Sequence, residues 1–271
     1  MSPYYEGENL KELKNFFIHE DLNISFYVLE KIIYNKLHKY SPCNNFFNFG
    51  NPKFDIIFKE RRNKTLNIKN YFPKFDQKKI LLWCFAHPWN SKAVAIDLYI
   101  KHIIDYFLKN EDIALIIRPH TAFIFELKCA NLWSDEDVNI LKNFCYKSKN
   151  IIWDDSDTYE FSYSVADCVI TDICSGVCLT SLVLDIPVAV LHRFDNNYFE
   201  PQYPELNKIL YHIHNYQEFD SFIESKLKKT NDPLKIGRNN FLKNNIANFD
   251  GLNGKRIKHF IISKFEEYTT P

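Results

Sequence analysis

Five short apolar runs punctuate the middle of this sequence: Ile80–Phe85, Ile113–Ile117, Ile151–Trp153, Cys168–Thr171 and Val188–Leu191. None alternates apolar with polar residues, so each suits a strand covered on both faces. Between them lie stretches with helical spacing, at 92–109, 134–147, 157–166 and 175–184. The first carries Val94, Ile96, Leu98, Ile100, Ile103, Ile104 and Phe107 as a broad apolar face. The second opens on Ser134-Asp135-Glu136-Asp137, a capping-box pattern. Strand and helix alternating with short connections leave one economical solution, a parallel sheet built from right-handed crossovers. The expected fold is α/β, a Rossmann-like parallel sheet with helices on both faces, running from about residue 76 to 265. Two further helices are expected at 217–228 and 254–268.

Residues 1–75 read differently, as a short helical N-terminal region and linker before a domain at 76–271. Leu10, Leu13, Phe16 and Phe17 recur at helical spacing, as do Phe26, Leu29, Ile32, Ile33 and Leu37, with Asn23 and Ser25 as caps for the second helix. Gly50-Asn51-Pro52 punctuates the chain, and Lys59 to Asn70 reads as a basic linker or surface segment. Lys59, Arg61, Arg62 and Lys64 in that run suit either a solvated linker or an anionic surface.

Composition narrows the function classes. Hydrophobic residues make up 46% and charged residues 25%, which belongs to a globular chain. Lys+Arg and Asp+Glu are both 34, and this zero balance argues against a nucleic-acid binder. The seven cysteines form no CxxC pair, so reduced thiols in a cytoplasmic protein are expected. Cys174 and Cys178 have no matching Cys/His pair at zinc spacing, and no metal is expected. His212 and His214, two apart, share a face only in a strand. No apolar run approaches the ~20 residues that span a bilayer.

In an open parallel sheet, ligands bind beyond the carboxyl ends of the strands. The residues there are Ala86-His87-Pro88-Trp89-Asn90, Arg118-Pro119-His120-Thr121, Asp154-Asp155-Ser156-Asp157, Thr171-Asp172-Ile173-Cys174-Ser175-Gly176 and His192-Arg193-Phe194. Histidines and arginines facing a hydroxyl-bearing helix start make an anion site. Ser175 offers a hydroxyl, and Gly176 lets a backbone approach closely. No G-x-G-x-x-G follows the first strand, no Walker A sequence occurs, and G-x-S-x-G is absent.

Several segments taken together resemble the CDP-glycerol glycerophosphotransferase family of teichoic-acid and capsule polymerases. They are Asp155-Ser156-Asp157, Ser164 through Asp172, Ser175, Asp185-Ile186-Pro187-Val188, and Phe194-Asp195 with Tyr198. Gly50-Asn51-Pro52-Lys53-Phe54-Asp55, Ile117-Arg118-Pro119-His120 and Asp250-Gly251 with Arg256 match three more family segments in order. The resemblance implies the C-terminal, donor-binding half of a GT-B enzyme. It implies transfer of a glycerophosphate or similar polyol-phosphate group from a CDP-activated donor to a cell-surface or lipid-linked glycan, releasing CMP, without a cofactor. His120 would be catalytic. Arg118, His87, Thr171, Asp172, Ser175, Gly176, Asp250, Gly251 and Arg256 would hold the donor and its diphosphate. The implied place is the cytoplasm, at most peripheral on the inner face of the membrane. Ile173-Cys174-Ser175 departs from the family's Tyr-Ser-Ser, and the segment before Gly50 is short for an acceptor domain; its His19 and His38 are the histidines there. A GT-B nucleotide-sugar glycosyltransferase, a UDP-sugar 2-epimerase-like enzyme and a donor-binding module without catalysis are the alternatives.

Overall fold

The computed structural model describes residues 23–25, 46–85, 95–129, 133–172, 176–193, 204–246 and 248–269. The expected helices around residues 10–17 and 26–37, with His19 and His38, lie outside that set. So do His87, Cys174, Ser175 and Phe194 to Tyr198. The chain divides into two compact units, Glu60–Arg238 and the described residues of Met1–Lys59 with Asn239–Pro271.

The larger unit is built on six parallel strands: β3 (Lys79–Cys84), β4 (Ile113–Arg118), β5 (Ile151–Trp153), β6 (Cys168–Thr171), β7 (Val188–Leu191) and β8 (Tyr211–Ile213). Their order is β5-β4-β3-β6-β7-β8. The four central strands are buried almost throughout, as continuous apolar runs require when helices cover both faces. One face carries Leu81, Trp83, Leu115, Ile117, Ile170 and Leu191. Helix α3 (Ile96–Lys109) lays Tyr99, Ile103 and Phe107 on that face, and α9 (Tyr216–Phe222) adds Phe219 and Phe222. Each such side chain contributes roughly 1.5–3 kcal/mol when removed from water.

The helices α5 (Asp135–Lys147), α6 (Glu160–Val165) and α7 (Gly176–Val183) fall where their spacing puts them. Ser134 Oγ accepts from the Asp137 N–H at 3.1 Å while Asp137 accepts from the Ser134 N–H at 2.8 Å, closing the capping box. Among the described elements, α4 (Phe123–Cys129), the sixth strand β8 and α10 (Lys235–Asn245) were not legible in the sequence. The segment read as 217–228 is α9 continued by a π-helical turn, Ile223–Lys228.

The segment from Lys59 to Asn70, expected as a basic linker or surface segment, is helical. Lys53–Arg62 and Lys64–Tyr71 form helices α1 and α2. Arg61 donates to the carbonyls of Ser164 at 2.8 Å and Ala166 at 2.6 Å, Lys64 pairs with Asp167 at 2.7 Å, and buried Asn67 donates to Ser164 Oγ at 3.0 Å. The basic residues carry this segment onto the acceptors around the start of β6, which apolar periodicity alone does not reveal. In the smaller unit, Asn23–Ser25 (β1) pairs in parallel with Phe46–Asn48 (β2), so Asn23 and Ser25 sit in a ladder and the N-terminal region is not purely helical. The unit ends in α11 (Asn253–Thr269).

Candidate active site

The strand order reverses direction between β3 and β6, and in such sheets the ligand crevice opens at the carboxyl ends of those two strands. Cys84, at the end of β3, pairs with Arg118 of β4 on one side and Thr171 of β6 on the other. The three residues are therefore level, with neighbouring strands about 4.8 Å apart, and their side chains share one face of the sheet. Cys84 is buried and donates its S–H toward Tyr163 Oη at 3.9 Å. Burial pushes its thiol up to about 12, which leaves no thiolate to serve as a nucleophile near neutrality.

Arg118 is engaged. Nη1 pairs with Asp154 Oδ2 at 2.6 Å and Nη2 donates to the Ser156 carbonyl at 2.8 Å. Asp154 also accepts from the hydroxyls of Ser156 and Ser162. The guanidinium thus knots the ends of β4 and β5 to α6. Asp154 is the residue that sequence reasoning passed over: four polar residues follow β5, and nothing in their order says which one faces Arg118.

His120 lies exposed just past β4. The Ala122 N–H donates to its Nδ1 at 3.2 Å, and the His120 carbonyl accepts from the Phe123 N–H at 2.8 Å where α4 begins. A lone pair committed to Ala122 puts the proton of the neutral ring on Nε2, so the ring carries a donor on its far side.

Thr171 and Asp172 are buried, at 0% and 3% exposure, and Thr171 Oγ1 finds no hydrogen-bond partner among the described residues. At Gly176, which opens α7, an added Cβ would meet nothing within 4 Å. Among the described residues nothing fills the space beside this helix start, and its first-turn N–H groups are suited to an anion. His87 and Ser175, expected on the same rim, lie outside the described residues.

Asp250, Gly251 and Arg256 belong to the smaller unit. Arg256 pairs with Asp250 through both guanidinium nitrogens and thereby holds that carboxyl below the usual carboxylate range. Gly251 has φ +82°, a left-handed turn that favours glycine. Asp55 accepts from the Asn253 N–H at 3.1 Å and the Gly254 N–H at 2.7 Å, capping α11. Two segments 198 residues apart in sequence thus meet at one helix start.

Among the described residues no group of three or more His, Cys, Asp or Glu is placed to hold a metal, and no helix is long and apolar enough to cross a membrane.

No protein-family model matches the sequence, and no curated protein does. Solved structures do. The wall teichoic acid polymerase TagF aligns over 98% of this chain and 63% of its own, at 14% identity and a TM-score of 0.69. The UDP-GlcNAc 2-epimerase from Neisseria meningitidis bound to UDP-GlcNAc aligns over 96% of this chain and 65% of its own, at 16% identity and a TM-score of 0.57. A putative UDP-N-acetylglucosamine 2-epimerase from Listeria monocytogenes aligns over 98% and 64%, at 17% identity and a TM-score of 0.59. The shared property is the α/β Rossmann-like fold. This chain spans less than two thirds of each of these proteins.

Proposed function

We propose that the unit Glu60–Arg238 binds a nucleotide-linked donor at the carboxyl ends of β3 and β6, and that the chain serves the transfer of a glycerophosphate or similar polyol-phosphate from a CDP-linked donor to a glycan acceptor. The observation that carries this is the fold likeness to the polymerase TagF over 98% of the chain. In this reading the start of α7, with Gly176 and Ser175, takes the diphosphate together with His87. His120 directs its Nε2–H at the leaving CMP. Phosphoryl transfer asks a protein mainly for such positioning and for donors against developing charge. Arg118, Thr171 and Asp172 act by shaping the crevice, because the first is engaged by Asp154 and the other two are buried. Asp250, Gly251 and Arg256 act by setting the start of α11. Any membrane contact is peripheral, at the inner face where such donors and glycan carriers meet.

The second reading is an enzyme of UDP-sugars, favoured by the 2-epimerases that share the fold. Thermal shift with CDP-glycerol, CDP-ribitol, CMP, UDP and UDP-GlcNAc separates the two, because a ligand of the native state raises the melting temperature. Stabilisation by CDP-glycerol or CDP-ribitol beyond that by UDP-GlcNAc is expected. The reverse order replaces the first reading with the second.

A further inference from the structure

A groove of about 670 Å³ lies at the outer edge of β5, within the larger unit and outside the crevice described above. That volume falls in the range of small-molecule sites, roughly 300–1,000 Å³. Its walls are Pro73 of the short helical turn Pro73–Phe75, Tyr146 of α5 and Trp153 of β5. Its rim carries Lys142, Asn143 and Asp155. Tyr146 is 86% exposed, the highest value of any large apolar side chain among the described residues. An aromatic face left in water beside a formed groove is a surface on which a ring can stack. The groove also shares a loop with the crevice. Asp154 turns to Arg118, whereas Asp155 next to it pairs with Lys142. Since β5 lies two strands from β3, the groove opens about 10 Å along the same rim.

The charges around the groove select its occupant. Lys74 Nζ donates to the carbonyls of Cys145 at 3.2 Å, Ser148 at 2.8 Å and Ile151 at 2.7 Å. An ammonium has three N–H donors, so Lys74 keeps none for an anion. Lys142 and Asp155 offset each other's charge, so the rim favours neither a phosphate nor a cation. The two still offer further N–H donors and carboxylate lone pairs, and Asn143 adds an amide. A fitting occupant is therefore neutral, with an apolar face for Tyr146 and an edge that both donates and accepts hydrogen bonds. A sugar ring has that chemistry, with C–H bonds on its faces and hydroxyls around its edge. We propose that the groove is a subsite for one sugar unit of the glycan acceptor, remote from the reacting end. That the sugar belongs to the acceptor rests on the transfer reading above. Binding energy from such a non-reacting unit helps to hold the reacting end in the crevice.

Saturation-transfer NMR on the full chain tests the subsite, with methyl β-glucoside, methyl β-galactoside and methyl N-acetyl-β-glucosaminide as probes. At least one glycoside is expected to receive saturation at its ring protons. Tyr146→Ala weakens its binding by about fivefold or more, and Tyr146→Phe, which keeps the ring, restores it. Asp155→Asn weakens it by about threefold or more. Both side chains are more than half exposed, so these variants keep the fold, as thermal melting will show. No transfer to any of the three glycosides, or undiminished binding in Tyr146→Ala, overturns the subsite. Cytidine binding more tightly than the glycosides, and lost in Tyr146→Ala, assigns the groove to a nucleobase and overturns it equally. Donor binding is read separately, because the thermal shift with CDP-glycerol persists in Tyr146→Ala. Glycoside binding that depends on Tyr146, with no shift from CDP-glycerol, upholds the sugar site and defeats the donor reading alone.

Discussion

Three side chains at the strand ends separate chemistry from architecture. His120 is exposed and its Nδ1 accepts from the Ala122 N–H, so His120→Ala removes little packing. The expected result is an unfolding free energy within about 0.5 kcal/mol of the parent, and turnover of a CDP-linked donor reduced by about 100-fold or more. A variant that keeps its rate removes His120 from the reaction. Thr171 behaves in the opposite way. Its hydroxyl is buried and without a partner among the described residues, and valine has nearly the same shape. Thr171→Val should leave stability unchanged or raise it by about 1 kcal/mol in urea unfolding, with nucleotide affinity altered by less than about threefold. A large loss of affinity would show that ligand binding exposes this hydroxyl. Arg118 is the costliest of the three, because Arg118→Ala strands the buried Asp154 carboxylate. Removing one partner of such a pair costs about 3–5 kcal/mol, and urea unfolding should show it.

At the scale of elements, the smaller unit depends on a contact between distant segments. Asp55, in α1, supplies both carboxylate oxygens to the first turn of α11, 198 residues away. Asp55→Ala should cost about 1–2 kcal/mol of stability, read from the urea midpoint, and an unshifted midpoint would mean the cap is dispensable. The same contact marks the limit of sequence reading. The five strands with continuous apolar runs were legible because a strand buried on both faces has no other way to be written. The sixth, Tyr211-His212-Ile213, lies at the sheet edge and carries polar residues, so its pattern is that of a loop. Helices α1 and α2 hid for a related reason. Within the larger unit, Arg61, Lys64 and Asn67 reach carbonyls, a hydroxyl and a carboxylate, contacts that apolar periodicity does not record. The rim of the candidate site was legible in outline, since strand ends follow from strands. That Arg118 is engaged by Asp154, and that Thr171 faces inward, depends on register and on the next strand's loop, which no single segment records.

At the scale of the whole molecule, a buried histidine ties the stability of the fold to acid. Burial, then the neighbouring His214 and His212, bring the His192 imidazole down from its ordinary value to about 3. The unfolded chain takes up that proton near 6.5, whereas the native chain does so only near 3. Between those values the unfolded state binds more protons, so stability falls as pH falls through this window and is fully present above it. Two carboxylates act in the same direction. Burial raises Asp232, but its bonds to Arg238 and Tyr211 outweigh that and hold it below the usual carboxylate range. Arg256 depresses Asp250, and the benefit of each carboxylate is lost as it protonates at lower pH still. The histidine acts before those two carboxylates, so the stretch from about pH 6.5 to about pH 5 reports it ahead of Asp232 and Asp250. His192→Gln should flatten that part of the stability curve by about 1 kcal/mol per pH unit, and leave the steeper loss near pH 4 in place. Urea unfolding at half-unit steps of pH measures both portions. A variant whose curve parallels the parent's from neutrality to about pH 5 would mean that His192 is protonated as easily in the native chain as in the unfolded one.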